Sequence, residues 1–291
     1  MKKHVVYVGM IILCFLTLTG CMATHKTMSK GIVDSTFSVP NGDHTIPVTL
    51  TMPIGEGEVP VVVMMHGTGS NKDEAGNAYL MLAPKMAKAG IAAARFDFPG
   101  SGDSTASYEL YSNTEAIRDC EAVAAFVSGM AGIDKNRIGV MGWSQGGTDA
   151  LLAAGSSNTF SSVLTWAGAL ELGDMATPEM RSEAEKQGYT FMEFEWREPL
   201  KLSKKWIDEV DTMDVLSYAA KIKAPIASIH GTVDTTVPFT DSEKVQAVSR
   251  NPKSKLIPIE GADHLYGVFS GDLTLFEELS AKTIEWFKST L

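Results

Sequence analysis

A serine hydroxyl becomes a nucleophile at neutral pH only when a base takes its proton and a third group orients that base. Ser144 stands in Gly142-Trp-Ser-Gln-Gly146, between the apolar run 137–141 and the Ala/Leu-rich run 145–154. Gly-x-Ser-x-Gly between a strand and a helix is the pattern of a tight turn that holds its serine at the tip. A side chain two residues to either side would collide with neighbouring backbone, which is the reason for glycine at both places. The chemistry predicted is nucleophilic acyl transfer.

The base must be one of six histidines. His4 lies in an N-terminal apolar leader, His25 in the polar stretch behind it, and His44 beside an early turn. His66 and His230 occupy His-Gly pairs at strand ends, positions suited to holding backbone. His264 remains, in Glu260-Gly-Ala-Asp-His264 after the last strand; a solvated loop histidine is the competing reading. Asp234, in His230-Gly-Thr-Val-Asp234, is the acid candidate. Asp263 is adjacent to His264, but adjacent side chains rarely face each other, and Asp97 and Asp103 precede the serine. Ser144, Asp234 and His264 follow the chain order Ser…Asp…His. Each falls in a loop at the carboxyl end of a strand, where open α/β sheets place their sites.

Acyl transfer puts negative charge on the former carbonyl oxygen, and backbone N–H groups should meet it. Gln145, at the helix start, supplies one; Thr68, in the loop His66-Gly-Thr-Gly69, is the candidate for the other. Residues 67–72 lack the spacing of a phosphate-binding loop, and no Gly-x-Gly-x-x-Gly opens a dinucleotide unit. No histidine pair or cysteine cluster has metal-ligand spacing. Neither metal nor cofactor is expected.

The elements that must position these residues alternate along the chain. Residues 32–39 and 45–52 read as an antiparallel opening pair around Pro40-Asn-Gly-Asp43. Residues 59–65 form a continuous apolar run, as expected of a strand covered on both faces. Strands at 91–96, 137–141, 161–167, 225–230 and 255–259 alternate with helices at 75–89, 113–130, 145–154, 243–248 and 273–287. A mostly parallel sheet with helices on both faces follows. Residues 171–213 break the rhythm, being charged and aromatic, with strand-like alternation at 191–196 and helical spacing through Leu202, Trp206, Ile207 and Val210. They read as a cap insertion over the active edge; surface helices without a role are the alternative.

The chain has 291 residues, 44% of them hydrophobic, and a net charge of −10, enough for one sizeable core. The acidic balance argues against nucleic acid and against electrostatic binding to anionic lipid. Residues 1–20 combine two lysines, a short apolar run and a small-residue boundary, the parts of an export signal. Leu18-Thr-Gly-Cys21 resembles the lipobox of bacterial lipoproteins, so Cys21 is expected to carry the lipid that anchors the chain to a membrane; an ordinary signal peptide is the alternative. Residues 21–30 then form a tether, residues 31–291 the folded domain, and Cys120 is left without a disulfide partner.

From about residue 45 onward the chain resembles the α/β-hydrolase superfamily, and within it bacterial cinnamoyl/feruloyl esterases and related serine hydrolases. The residues that carry the likeness are His66-Gly-Thr-Gly69, Arg95-Phe-Asp-Phe-Pro-Gly-Ser-Gly-Asp-Ser104, Gly142-Trp-Ser-Gln-Gly-Gly147, Ile229-His-Gly-Thr-Val-Asp234 and Glu260-Gly-Ala-Asp-His264. The resemblance implies an eight-stranded, mostly parallel sheet, a cap after the sixth strand, and hydrolysis of a small-molecule ester without metal or cofactor. It also implies that the cap supplies an acyl or aromatic pocket. Trp143, beside the serine, and Phe194, Trp196 and Trp206, in the insertion, are the candidate substrate-binding residues. A peptidase or amidase on the same triad is the alternative, with Glu193, Glu195 and Glu198 as candidate amine ligands; a non-catalytic envelope binding protein is a further one.

Overall fold

The computed structural model describes residues 25–29, 31–55 and 57–291. The leader and Cys21 lie outside the described residues. In chain order the elements are β1 (His25–Ser29), β2 (Ile32–Asn41), β3 (His44–Pro53), β4 (Val59–Met65), α1 (Ala78–Lys88), β5 (Ala92–Phe96), α2 (Asn113–Ser128), β6 (Ile133–Trp143), α3 (Gln145–Ser156) and β7 (Ser162–Trp166). They continue with α4 (Pro178–Gln187), β8 (Tyr189–Met192), β9 (Leu200–Ser203), α5 (Lys204–Thr212), α6 (Val215–Ala219), β10 (Ile226–Gly231), α7 (Phe239–Val248), β11 (Lys255–Ile259) and α8 (Thr274–Thr290).

The main sheet runs β1-β2-β3-β5-β4-β6-β7-β10-β11. It is antiparallel from β1 to β5 and parallel from there to β11. Eight of its strands are those the sequence predicts; β1 is a ninth. It comes from the segment read as a tether and pairs with β2 from His25↔Thr36 to Ser29↔Ile32. Its polar composition hid it, because an edge strand can be held by backbone bonds alone, and Lys26, Thr27 and Met28 are exposed.

Two apolar layers explain the continuous run in β4. Val61, Val63 and Met65 face a cluster that includes α2 and α3, while Val62 and Met64 face α1 and α8. Successive strand side chains point to opposite faces, so a strand covered on both sides must be apolar throughout. The β2–β3 turn is tied to α2 by Asn41 and His44, which reach Asp119 at 2.7 and 2.9 Å.

Residues 171–213 form a short 3-10 turn, α4, the separate hairpin β8–β9, and α5. The alternation expected at 191–196 ends at Met192, because β8 pairs with Leu200–Ser203 and residues 193–199 form the connecting loop. Leu200, Leu202, Trp206, Ile207 and Val210 join the apolar cluster on the α2–α3 side of the main sheet. Among the described residues no helix is long and apolar enough to cross a membrane.

Candidate active site

Ser144 joins β6 to α3 at φ 56° and ψ −123°, a conformation that side chains other than glycine's rarely adopt. Ser144 N–H donates to Trp166 O at 2.9 Å, fixing the turn to β7. The flanking glycines are required by contact: a Cβ on Gly142 would stand 1.9 Å from Gly146 O, and one on Gly146 would stand 2.2 Å from Met65 O. Both obstacles are backbone, which no rotamer change relieves. Strain of this kind persists only where the surrounding structure over-determines it, and it gathers at functional sites.

The loops after β10 and β11 bring Asp234 to His264. Asp234 Oδ2 lies 2.7 Å from His264 Nδ1. Asp234 Oδ1 accepts the N–H groups of Thr236 and Val237 at 2.8 and 2.9 Å. His230 Nε2 approaches Oδ2 at 3.2 Å, donates to Val237 O at 3.1 Å, and its Nδ1 meets the Ser242 hydroxyl at 2.7 Å. Burial opposes ionisation of Asp234, but the bonds from His230, His264 and Val237 outweigh it and hold the carboxyl well below the usual range. An always-ionised acid at Nδ1 leaves Nε2 of His264 as the nitrogen able to take a proton.

His230 is a residue the sequence reading assigned only to backbone. Its separation of four residues from Asp234 was the available signal. Trp143 differs from expectation more sharply. It is buried, its indole N–H donates to His264 O at 3.2 Å, and its ring meets Trp166 and Tyr266 edge-on. It supports the His264 loop from beneath and does not line a substrate pocket. Trp206 is likewise only 1% exposed, packed among Leu200, Leu202 and Val210. Both are large apolar side chains whose partners come from distant elements, so sequence could not separate core from pocket.

The two expected oxyanion donors are joined through their side chains, with the Thr68 hydroxyl donating to Gln145 Oε1. Gln145 N–H lies in the first turn of α3, where backbone donors have no intrahelical partner. The loop carrying Thr68 is fixed by His66, whose Nδ1 donates to Gly67 O at 2.9 Å while its Nε2 accepts Phe98 N–H at 3.2 Å. That pattern requires a neutral ring, and burial pushes the His66 pKa down to about 4. The unfolded chain takes up this proton near pH 6.5. The folded chain resists it to about pH 4, so stability falls as pH drops through that window, by roughly 3 kcal/mol in full. The His66 ring signals should therefore hold constant by NMR from pH 8 to 5; a midpoint near 6.5 would contradict this role.

Asp97 and Asp103, set aside as acids on chain order, tie two loops together. Lys72 Nζ meets them at 2.9 and 2.6 Å, and Lys72 N–H donates to Asp97 at 2.7 Å. A further buried acid, Glu74, accepts Gly67 N–H at 2.7 Å and was missed by the sequence reading.

Phe194 and Trp196 lie in the β8–β9 loop, edge-on at 5.2 Å. Trp196 is 67% exposed. A Cβ on Gly69 would stand 3.1 Å from the Trp196 ring, and Arg197 Nη1 donates to Gly69 O at 2.5 Å. The β8–β9 loop thus rests on the far end of the Thr68 loop. Glu193, Glu195 and Glu198 are exposed.

The BD-FAE family model matches residues 50–248. The chain is 25% identical over 240 residues to YfhR, an uncharacterised protein of Salmonella typhi, covering 81% of this chain and 75% of that one. It is 27% identical over 241 residues to 2,6-dihydropseudooxynicotine hydrolase of Paenarthrobacter nicotinovorans, covering 75% of this chain and 56% of that one. Among solved structures, Est1E from Butyrivibrio proteoclasticus with ferulic acid bound superposes with a TM-score of 0.73 at 20% identity, over 87% of this chain and 98% of that chain. At that identity the likeness is one of fold.

Proposed function

The chain belongs to the BD-FAE family and is a hydrolase of the α/β-hydrolase fold, and from that premise we propose that it cleaves small carboxylic esters through an acyl-enzyme on Ser144. The observation that carries the reading is the 2.7 Å Asp234–His264 contact at the same sheet edge as the strained Ser144 turn. Ser144 Oγ attacks the ester carbonyl as His264 Nε2 takes its proton. Asp234 remains ionised and stabilises the imidazolium. The Gln145 and Thr68 N–H groups hold the oxyanion, and collapse expels the alcohol with the proton returned by His264. Water then repeats the cycle on the acyl-enzyme.

Trp196, exposed in the β8–β9 loop beside the half-buried Phe194, favours an aromatic acyl group, and the ferulic acid held by Est1E is consistent with one. The purified enzyme should react with a fluorophosphonate at Ser144 and hydrolyse feruloyl and p-nitrophenyl esters faster than the matching amides. Absence of labelling overturns the nucleophile; preference for the amides overturns the ester reading.

We propose further that the protein is exported and held to the envelope by lipid on Cys21. Each buried acyl CH₂ contributes about 0.8 kcal/mol, so two or three chains anchor durably. Replacing Cys21 by Ser should move the protein from the membrane to the soluble fraction in a cell fractionation; unchanged membrane retention would count against lipidation.

A further inference from the structure

Glu74 is a buried carboxyl for which the acyl-transfer scheme has no use. Only 6% exposed, it sits at φ 67°, a left-handed conformation costly for a glutamate. Oε1 accepts Gly67 N–H at 2.7 Å, Oε2 accepts Ala75 N–H at 2.9 Å, and the Ser70 hydroxyl also bonds the carboxyl. Gly67 separates it from the nucleophile. A Cβ on Gly67 would stand 3.2 Å from Glu74 Oε1, 3.2 Å from Trp143 O and 3.5 Å from Ser144 Cβ.

Those contacts create a problem that Glu74 solves. A side chain at position 67 would press on Glu74 Oε1 and Trp143 O more tightly than an ordinary contact, and the glycine that avoids this is the residue least able to fix its own φ and ψ. The two peptides flanking Gly67 must be fixed from outside. On one side the Gly67 carbonyl accepts His66 Nδ1–H at 2.9 Å and Ser70 N–H at 3.2 Å. That carbonyl and the Thr68 N–H belong to the same planar peptide and point in opposite directions. On the other side Gly67 N–H has Glu74.

We infer that Glu74 is a positioning residue of the reaction: its carboxylate pins Gly67 N–H, so that the following peptide presents the Thr68 N–H to the oxyanion. The inference rests on the ester-hydrolase reading above. The groups facing the carboxyl are the Gly67 and Ala75 N–H donors, the Ser70 hydroxyl, the Tyr79 phenol and the His264 imidazole. His264 is the group among these that turns cationic during catalysis, and its charge attracts an ionised Glu74. Burial raises the Glu74 pKa to about 7, with the hydrogen bonds and His264 pulling the other way. Protonation converts one oxygen from acceptor to donor, facing N–H groups that need acceptors. The anchor therefore loosens as pH falls through 7.

The test compares wild type with Glu74→Gln on a p-nitrophenyl ester from pH 5.5 to 8.5, with fluorophosphonate labelling of wild type alongside. At pH 8 kcat should fall by about tenfold, less than the loss of an oxyanion donor itself, with KM within about twofold, the mark of an effect felt in the transition state. The ratio of the two kcat values should narrow toward pH 5.5, where wild-type Glu74 is protonated as well. Equal kcat values, or a ratio constant with pH, overturn the inference when wild type is labelled at Ser144. A wild type that resists labelling overturns the hydrolase reading instead. If Glu74→Gln does not fold by circular dichroism, Glu74→Asp keeps the charge and shortens the reach. It should lower kcat while keeping the wild-type pH dependence, and an unchanged kcat overturns the role.

Discussion

Replacing Ser144 by Ala should lower kcat on a p-nitrophenyl ester by about 10⁶, with Thr68 and Gln145 left to give residual catalysis about 10³–10⁴ over water. The fold should survive, because Ser144 sits at the tip of a turn fixed by others. Its N–H bond to Trp166 O is backbone, and the contacts that force the turn belong to Gly142 and Gly146. Alanine inherits the φ of 56° and its strain, so its thermal midpoint should stay close to wild type. Glycine has no such penalty, and Ser144→Gly should be more stable by about 1 kcal/mol while equally inactive. Calorimetry on the three proteins measures this directly. Activity above one per cent in pure Ser144→Ala would remove the serine from the chemistry.

Replacing Asp234 by Asn should cost on the order of 10⁴ in kcat. The Asn amide can donate to His264 Nδ1, which moves the ring proton to Nε2 and leaves no lone pair there for the Ser144 hydroxyl. Asp234 also receives three donors, from Thr236, Val237 and His264, with His230 Nε2 a further 3.2 Å from Oδ2. An amide offers one oxygen to that set, so one donor must face the NH₂ group, and stability should fall as well. The sign with pH is definite. The folded-state carboxyl is held below its unfolded value, so its stabilisation is present above the ordinary carboxylate range and lost only in strong acid. The stability gap between wild type and Asp234→Asn should thus be full at pH 7 and close on strong acidification. A gap that widened on acidification, or a kcat within tenfold of wild type, would show that Asp234 does not serve His264.

The parts of the site legible in the sequence are those whose constraint is local. The Ser144 turn needs glycine at two fixed offsets, and a strand must enter it and a helix leave it, all within twenty residues. The parallel strands read as unbroken apolar runs because both their faces are covered, as at Val61 to Met65. Asp234 and His264 are singled out as candidates by chain order and by their places after strands, which needs no knowledge of distance.

What stayed hidden depends on which elements meet. The strand His25–Ser29 carries no apolar pattern because an edge needs only backbone pairing. Trp143 and Trp206 read as pocket aromatics because an indole under a histidine loop and one facing a substrate have the same sequence signature. Glu74 carries no local sequence signal; burial, a left-handed backbone and Gly67 N–H single it out. The sequence by itself determined the fold class, the tight turn at Ser144 and the chain order of the candidate residues, since these follow from periodicity and short-range sterics. Only the tertiary structure decided that Asp234 meets two histidines, that Trp143 supports the His264 loop, and that Glu74 stands across Gly67 from Ser144. Hydrogen bonds and burial between loops distant in sequence are set by packing, and no local pattern encodes them.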